Sequence, residues 1–154
     1  MEVPRGGTDN DGSISKSTGL CPTFYLLNAT SLAKTNAVQH LYTDVCTHNA
    51  DIVLIVETWF THRHADAEIA MSGYNLFRRD RGGKRKGGGL CAFVRPHVDC
   101  TVLNIKGSNT DIEIMWLLCK HNSLNIIVAL CYYPPRPIYD TSAFINCAKA
   151  SIML

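Results

Sequence analysis

No run of about 18 apolar residues occurs in this chain, which argues against a membrane-spanning helix. The first 20 residues are polar and Gly/Ser-rich and lack the apolar stretch of a secretory signal, so an intracellular protein that is not secreted is expected. No C-x-x-C pair is present, and the seven cysteines are scattered and odd in number. That gives no support to a zinc site or a disulfide framework and reads as reduced, mostly core cysteine. The sequon Asn28-Ala29-Thr30 carries no weight without a secretory signal. Charged residues make up only 18% of the chain against 46% hydrophobic, which excludes a mainly disordered polypeptide. The net charge of +2 says little about partners, and no internal repeat is visible.

What is present is one domain's worth of alternating signals. Residues 1–20 read as a disordered leader and 21–154 as the folded part. Thr23–Leu27 and Asp51–Val56 are apolar runs rich in β formers, read as buried strands. Between them the spacing predicts a helix over about 32–48, with Ser31 as its cap. Five further strands are predicted over 74–77, 89–94, 98–105, 112–119 and 124–132, bounded by Gly, Asn, Asp, Pro and Ser. A closing helix is predicted over about 140–153. The mixture predicts an α/β fold.

Asn28 and Glu57 each follow an apolar strand, and ligands of open α/β sheets gather beyond the carboxyl ends of strands. An amide oxygen beside a carboxylate suits a hard cation such as Mg²⁺ or Mn²⁺. By spacing alone, a capping Asn and a solvated Glu are the simpler account of the same residues. Residues 78–86, Arg-Arg-Asp-Arg-Gly-Gly-Lys-Arg-Lys, hold six cations and one acid between glycines. Such a loop can follow phosphates without reading bases, or it can be a solvated connection. His62 and His64 lack partners of metal-ligand type and read as surface loop, Asp111 and Glu113 read as a solvent-facing alternation, and Trp59 and Trp116 read as core anchors.

Five motifs in order are Leu27–Leu32, Val56–Phe60, Ser72–Arg81 with Gly87–Gly89, Ile114–Trp116 and Tyr132–Pro135. Together they resemble the endonuclease of non-LTR (LINE-type) retrotransposons, within the endonuclease/exonuclease/phosphatase family. The resemblance implies a two-sheet α/β sandwich and Mg²⁺- or Mn²⁺-dependent DNA nicking in the nucleus or cytoplasm. A reverse transcriptase domain would be the partner in a parent polyprotein, and no membrane would be involved. It also implies roles: Glu57 as principal metal ligand, Asn28 assisting at the metal and phosphate, and Tyr132 beside the scissile phosphate. Arg78, Arg79, Arg81, Lys84, Arg85 and Lys86 would contact nucleic acid. Tyr133 stands where the family more often has Arg.

The family's later motifs, Gly-Asp-x-Asn and Ser-Asp-His, occur nowhere in the 154 residues. The expectation is therefore a partial fold lacking its C-terminal portion, inactive alone for want of water activation and phosphate contacts. The apolar faces of strands such as 124–131 are expected to want a partner. The alternative is a non-catalytic nucleic-acid- or protein-binding remnant. A relative acting on RNA, lipid headgroups or inositol phosphates is the third possibility, since fold does not fix substrate.

Overall fold

A computed structural model describes residues 19–82, 86–105, 112–137 and 139–152. Most of the expected leader, residues 1–18, lies outside them. Ten elements follow one another. They are β1 (Phe24–Asn28), α1 (Ala37–Thr47), β2 (Ile52–Val56), α2 (Asp66–Ile69), β3 (Asn75–Arg79), β4 (Leu90–Val94), β5 (Asp99–Leu103), β6 (Glu113–His121), β7 (Leu124–Tyr132) and α3 (Thr141–Ile152). None of the helices is long and apolar enough to cross a membrane.

Two sheets form. The first has the order β1-β2-β4-β3, with β1 and β2 parallel and the other pairs antiparallel. The second is the antiparallel sheet β5-β6-β7. Their inner faces meet in one core, Ile52, Leu54, Val56, Leu90, Ala92 and Val94 against Met115, Leu117, Cys119 and Leu130. The outer face of the first sheet, through Val53, Ile55, Cys91 and Phe93, packs on Leu41 and Val45 of α1 and Ile69 of α2. The outer face of the second, through Ile114 and Trp116, packs on Tyr139 and Cys147 with the partly buried Ala143 and Phe144. Four layers result. They explain why β2 and β4 read as unbroken apolar runs, since both faces of each strand are covered.

The strands and the closing helix follow the sequence reading to within a few residues. The helix α1 does not. It begins at Ala37, after Asn36 in a left-handed conformation with φ 62°, and it has no side-chain cap. Ser31 is buried with φ 102° and belongs to the exit of β1. Its amide donates to the Glu57 carbonyl at 2.8 Å and that of Leu32 to the Thr58 carbonyl at 2.9 Å. This tie holds the chain beside the exit of β2 before it can coil. The short α2 was not foreseen. At α3 the Asp140 carboxylate accepts from the Ser142 hydroxyl at 2.6 Å and the Ala143 amide at 2.8 Å, which caps the helix and holds the acid below its ordinary range.

The inner face of β7, Ile126, Val128 and Leu130, packs into the inter-sheet core, whereas Ile127 on its outer face is 53% exposed, so the expected want of a partner holds for one face of that strand. A second unpartnered apolar strip lies on β1. Phe24 and Leu26 of β1, which share the inner face of the first sheet with Ile52 and Leu54, are 42% and 70% exposed. The second sheet packs through β7 on β2 and β4 and leaves these side chains in solvent. Leu26→Lys should therefore change stability by no more than about 0.5 kcal/mol and reduce aggregation. Leu117→Ala, in the core, should cost about 2–5 kcal/mol. Urea unfolding and light scattering check both.

Candidate active site at the carboxyl edge of the first sheet

Parallel register sets Asn28 opposite Val56, so β1 and β2 end flush and Glu57 leaves the sheet beside Asn28. The exits of β1 and β2 and the entry to β4 are stitched together here. Besides the Ser31 and Leu32 bonds, the Ala29 amide donates to the Val56 carbonyl at 3.0 Å. The Thr58 and Trp59 amides donate to the carbonyls of Gly89 and Gly88 at 3.2 and 2.8 Å. The same few residues carry left-handed backbone in non-glycine residues: Thr30 (φ 46°), Ser31, Glu57 (φ 59°) and Trp59 (φ 59°). Such conformations cost about 1–3 kcal/mol each and persist only where surrounding structure enforces them, as at ligand and catalytic sites. Gly89, at φ 86°, is where only glycine fits, because a β-carbon would stand 2.6 Å from the hydroxyl of the fully buried Thr58.

The structure brings Glu57 and Tyr132 together. Burial, then the hydrogen bond to Glu57 and that carboxylate's charge, push the Tyr132 phenol up to about 12, while Arg81 opposes the shift and Glu113 adds to it. Tyr132 is therefore a protonated donor at neutral pH. Asn28 stands at the adjoining strand end, exposed, with its amide oxygen accepting from the Thr30 amide at 3.1 Å. The turn-forming role open to Asn28 in the sequence is thus the one its hydrogen bond displays. Tyr133 turns away toward α3, stacking edge-on with Tyr139 and Phe144 and sharing a hydrogen bond with Thr141.

Glu113 is the residue that sequence reasoning misplaced. Its side chain is only 13% exposed, and it does not face solvent. One oxygen accepts from Arg81 Nε at 2.6 Å and from Arg81 Nη2, and the other accepts from the Gly89 amide at 2.6 Å. Glu113 lies at the start of the alternating stripe Met115, Leu117, Cys119 that faces the other sheet, which puts its carboxylate at the mouth of the inter-sheet gap. The signal was present in that stripe. It was obscured because the opposite face, Ile112, Ile114 and Trp116, is apolar too. Asp111 lies outside the described residues. Trp59 was also misread. It is 40% exposed, and its indole N–H donates to Glu57 at 3.4 Å, so it braces the site rather than filling the core. Trp116 is buried, as expected of a core anchor.

The described cations of the basic segment differ in their surroundings. Arg78 is engaged with the protein through Asp80, Asp66 and the carbonyls of Thr61 and His64, and its guanidinium lies over the Phe60 ring. Arg79 donates to the Ile114 carbonyl. Arg81 pairs with Glu113 and lies 6.0 Å from the Tyr132 ring centre. Lys86 is exposed, and Lys84 and Arg85 lie outside the described residues. His64 closes a turn on Thr61, with a 3.1 Å bond from the Thr61 amide to Nδ1.

The donor set fits Mg²⁺ or Mn²⁺ in a limited way. No cluster of three or more His, Cys, Asp or Glu stands ready for a metal among the described residues. Glu113 is engaged with Arg81 and Gly89, which leaves Glu57 as the carboxylate beside Tyr132 and Asn28. Mg²⁺ commonly keeps several waters and binds through one or two carboxylates plus substrate phosphate, so a single protein carboxylate is compatible with it.

Two outcomes test this geometry. Glu113→Ala should destabilise by about 3 kcal/mol, because Arg81 and the Gly89 amide lose their acceptor in a largely buried place; chemical denaturation measures it. The raised Tyr132 phenol makes a stabilising contribution that is complete below pH 10 and is lost as pH rises from there through about 12. Ultraviolet titration of wild type against Tyr132→Phe should show this late-ionising phenol, and Glu57→Gln should bring it earlier.

No protein-family model matches the chain, and no curated protein matches it. Among solved structures it is similar to the endonuclease domain of TRAS1, a telomere-specific non-LTR retrotransposon, at 16% identity and a TM-score of 0.58. The match covers 82% of this chain and 50% of that one, so the chain spans about half the length of its structural neighbour. Two sheets packed face to face between outer helices, with Glu57 and Tyr132 meeting at one edge, are thus set on the fold of a non-LTR retrotransposon endonuclease domain.

Proposed function

We propose that this chain carries the Glu57 half of the active site of a DNA endonuclease of the non-LTR retrotransposon type, a hydrolase of phosphodiesters that nicks a target strand. The observation that supports it most is the meeting of Glu57 and Tyr132 at the strained, stitched edge of a sheet in a chain with an endonuclease-domain fold. Glu57 would hold Mg²⁺ or Mn²⁺, with Asn28 assisting, and the ion would supply charge stabilisation at a phosphoryl oxygen. Tyr132, kept protonated by burial, would turn its one O–H from Glu57 to a non-bridging phosphate oxygen when Glu57 holds the ion. Trp59 holds the Glu57 carboxylate in place. Lys84, Arg85 and Lys86 contact DNA phosphates. Arg79 and Arg81 border that surface, while Arg78 acts by shaping the loop. A reverse transcriptase domain in a longer polyprotein and a nuclear or cytoplasmic location follow from the same reading.

The 154 residues contain no Gly-Asp-x-Asn and no Ser-Asp-His, so on this reading they lack the groups that would activate water and complete the phosphate grip. We expect DNA binding with little or no cleavage, which is also the behaviour of a non-catalytic binding remnant. Supercoiled plasmid incubated with Mg²⁺ should remain un-nicked by this polypeptide, as with Glu57→Ala. Metal-dependent nicking that disappears in Glu57→Ala would instead show a complete site within the chain. Replacing Lys84, Arg85 and Lys86 by Ala should lower the slope of log Kd against log salt by about 2–3. An unchanged slope would remove the loop from the DNA interface.

A further inference from the structure

Cys100 and Cys119 face each other across the β5–β6 ladder as direct register partners, with their sulfurs 3.5 Å apart. Among the described residues no metal-ligating cluster includes the pair, and the site at Glu57 does not use it. Directly opposed residues in an antiparallel pair have Cα atoms about 4.5 or 5.5 Å apart, and both values fall inside the range of about 4.4–6.8 Å that a disulfide spans. Cys119 is fully buried in the inter-sheet core, whereas Cys100 is half-buried on β5, the edge strand of its sheet. We propose that Cys100 and Cys119 form a redox-modifiable dithiol that small peroxides oxidise to an intramolecular disulfide joining β5 to β6.

The chemistry balances with hydrogen peroxide as oxidant. The sulfur that meets the peroxide displaces water from its O–O bond and becomes a sulfenic acid. The partner sulfur then attacks that sulfur, the S–O bond breaks, and a second water leaves. Two thiol hydrogens and two electrons pass to the peroxide, and one S–S bond forms. The two sulfurs already stand 3.5 Å apart, joined by a hydrogen bond in which either can donate, so a sulfenic acid formed on one is within reach of the other. That hydrogen bond and burial hold Cys100 above the ordinary thiol range, and the hydrogen bond draws Cys119 below it. Cys91, by contrast, is fully buried in the core on the other side of the first sheet. The bridge would close the loop 100–119, which includes Glu113, and so would pin the strand that holds Arg81 and Gly89.

The test treats the folded, reduced chain with hydrogen peroxide, blocks remaining thiols and reads intact mass and peptide maps. The expected result is a loss of two hydrogens and a disulfide between tryptic peptides 87–106 and 107–120, with a further cut after Phe93 assigning it to Cys100 rather than Cys91. The bridge should vanish in Cys100→Ser and in Cys119→Ser, and reductant should reverse it. In wild type the urea midpoint should move upward on oxidation and return on reduction. Oxidation of Cys100 to sulfinic acid with Cys119 left free, while circular dichroism shows the fold intact, overturns the proposal. So does a bridge that forms only after unfolding in urea.

Discussion

The Glu113 carboxylate is anchored in one sheet and bonded into the other. It sits at the start of β6, yet its partners, Arg81 and the Gly89 amide, belong to the connection between β3 and β4. Gly88 and Gly89 in turn receive the amides of Trp59 and Thr58, and the Glu57 and Thr58 carbonyls receive those of Ser31 and Leu32. The exits of β1 and β2 and the entry to β4 are thus tied, step by step, to one largely buried acid of the second sheet. A carboxylate taken out of water needs full partners, and here it has a guanidinium and a backbone N–H. The ion pair matters less as a source of net stability than as a device that fixes where the loops stand.

This chain of bonds explains how the strained backbone at Glu57 and Trp59 is maintained. A left-handed Glu or Trp would relax in an isolated peptide. Between Gly88, Gly89 and Ser31 it has nowhere to go, because each neighbouring amide and carbonyl is already committed. The result is a carboxylate presented at the sheet edge, braced by the Trp59 indole and facing a phenol that stays protonated. Rigidity of this kind is what the proposed site for a hard cation and a phosphodiester would require, since positioning and electrostatics supply most of the rate in such chemistry.

The same layered packing distributes the exposed surface. The second sheet stands over β2 and β4, so β1 keeps its outer-helix contacts through Tyr25 and Leu27 but leaves Phe24 and Leu26 bare. Among the described residues this strip has no covering layer.

Much of the strand pattern was legible in the sequence because strands buried on both faces are unbroken apolar runs closed by Gly, Pro and Asn, and that composition survives any context. The positions of Asn28, Glu57 and Tyr132 at strand ends were legible for the same reason. The start of α1 was not, because hydrogen bonds from Ser31 and Leu32 to a loop 26 residues away override the local capping signal. Glu113 was hidden because both faces of β6 are apolar, so period-two alternation cannot tell the inner face from the outer one. Arg78 and Lys86 look alike in a basic run, and only the fold decides that one is engaged by Asp66 and Asp80 and the other meets solvent. The sequence by itself determined which segments are strands and helices and which residues stand at the strand ends. Tertiary structure alone decided which charges are buried, paired or free, because those depend on contacts between segments far apart in the chain.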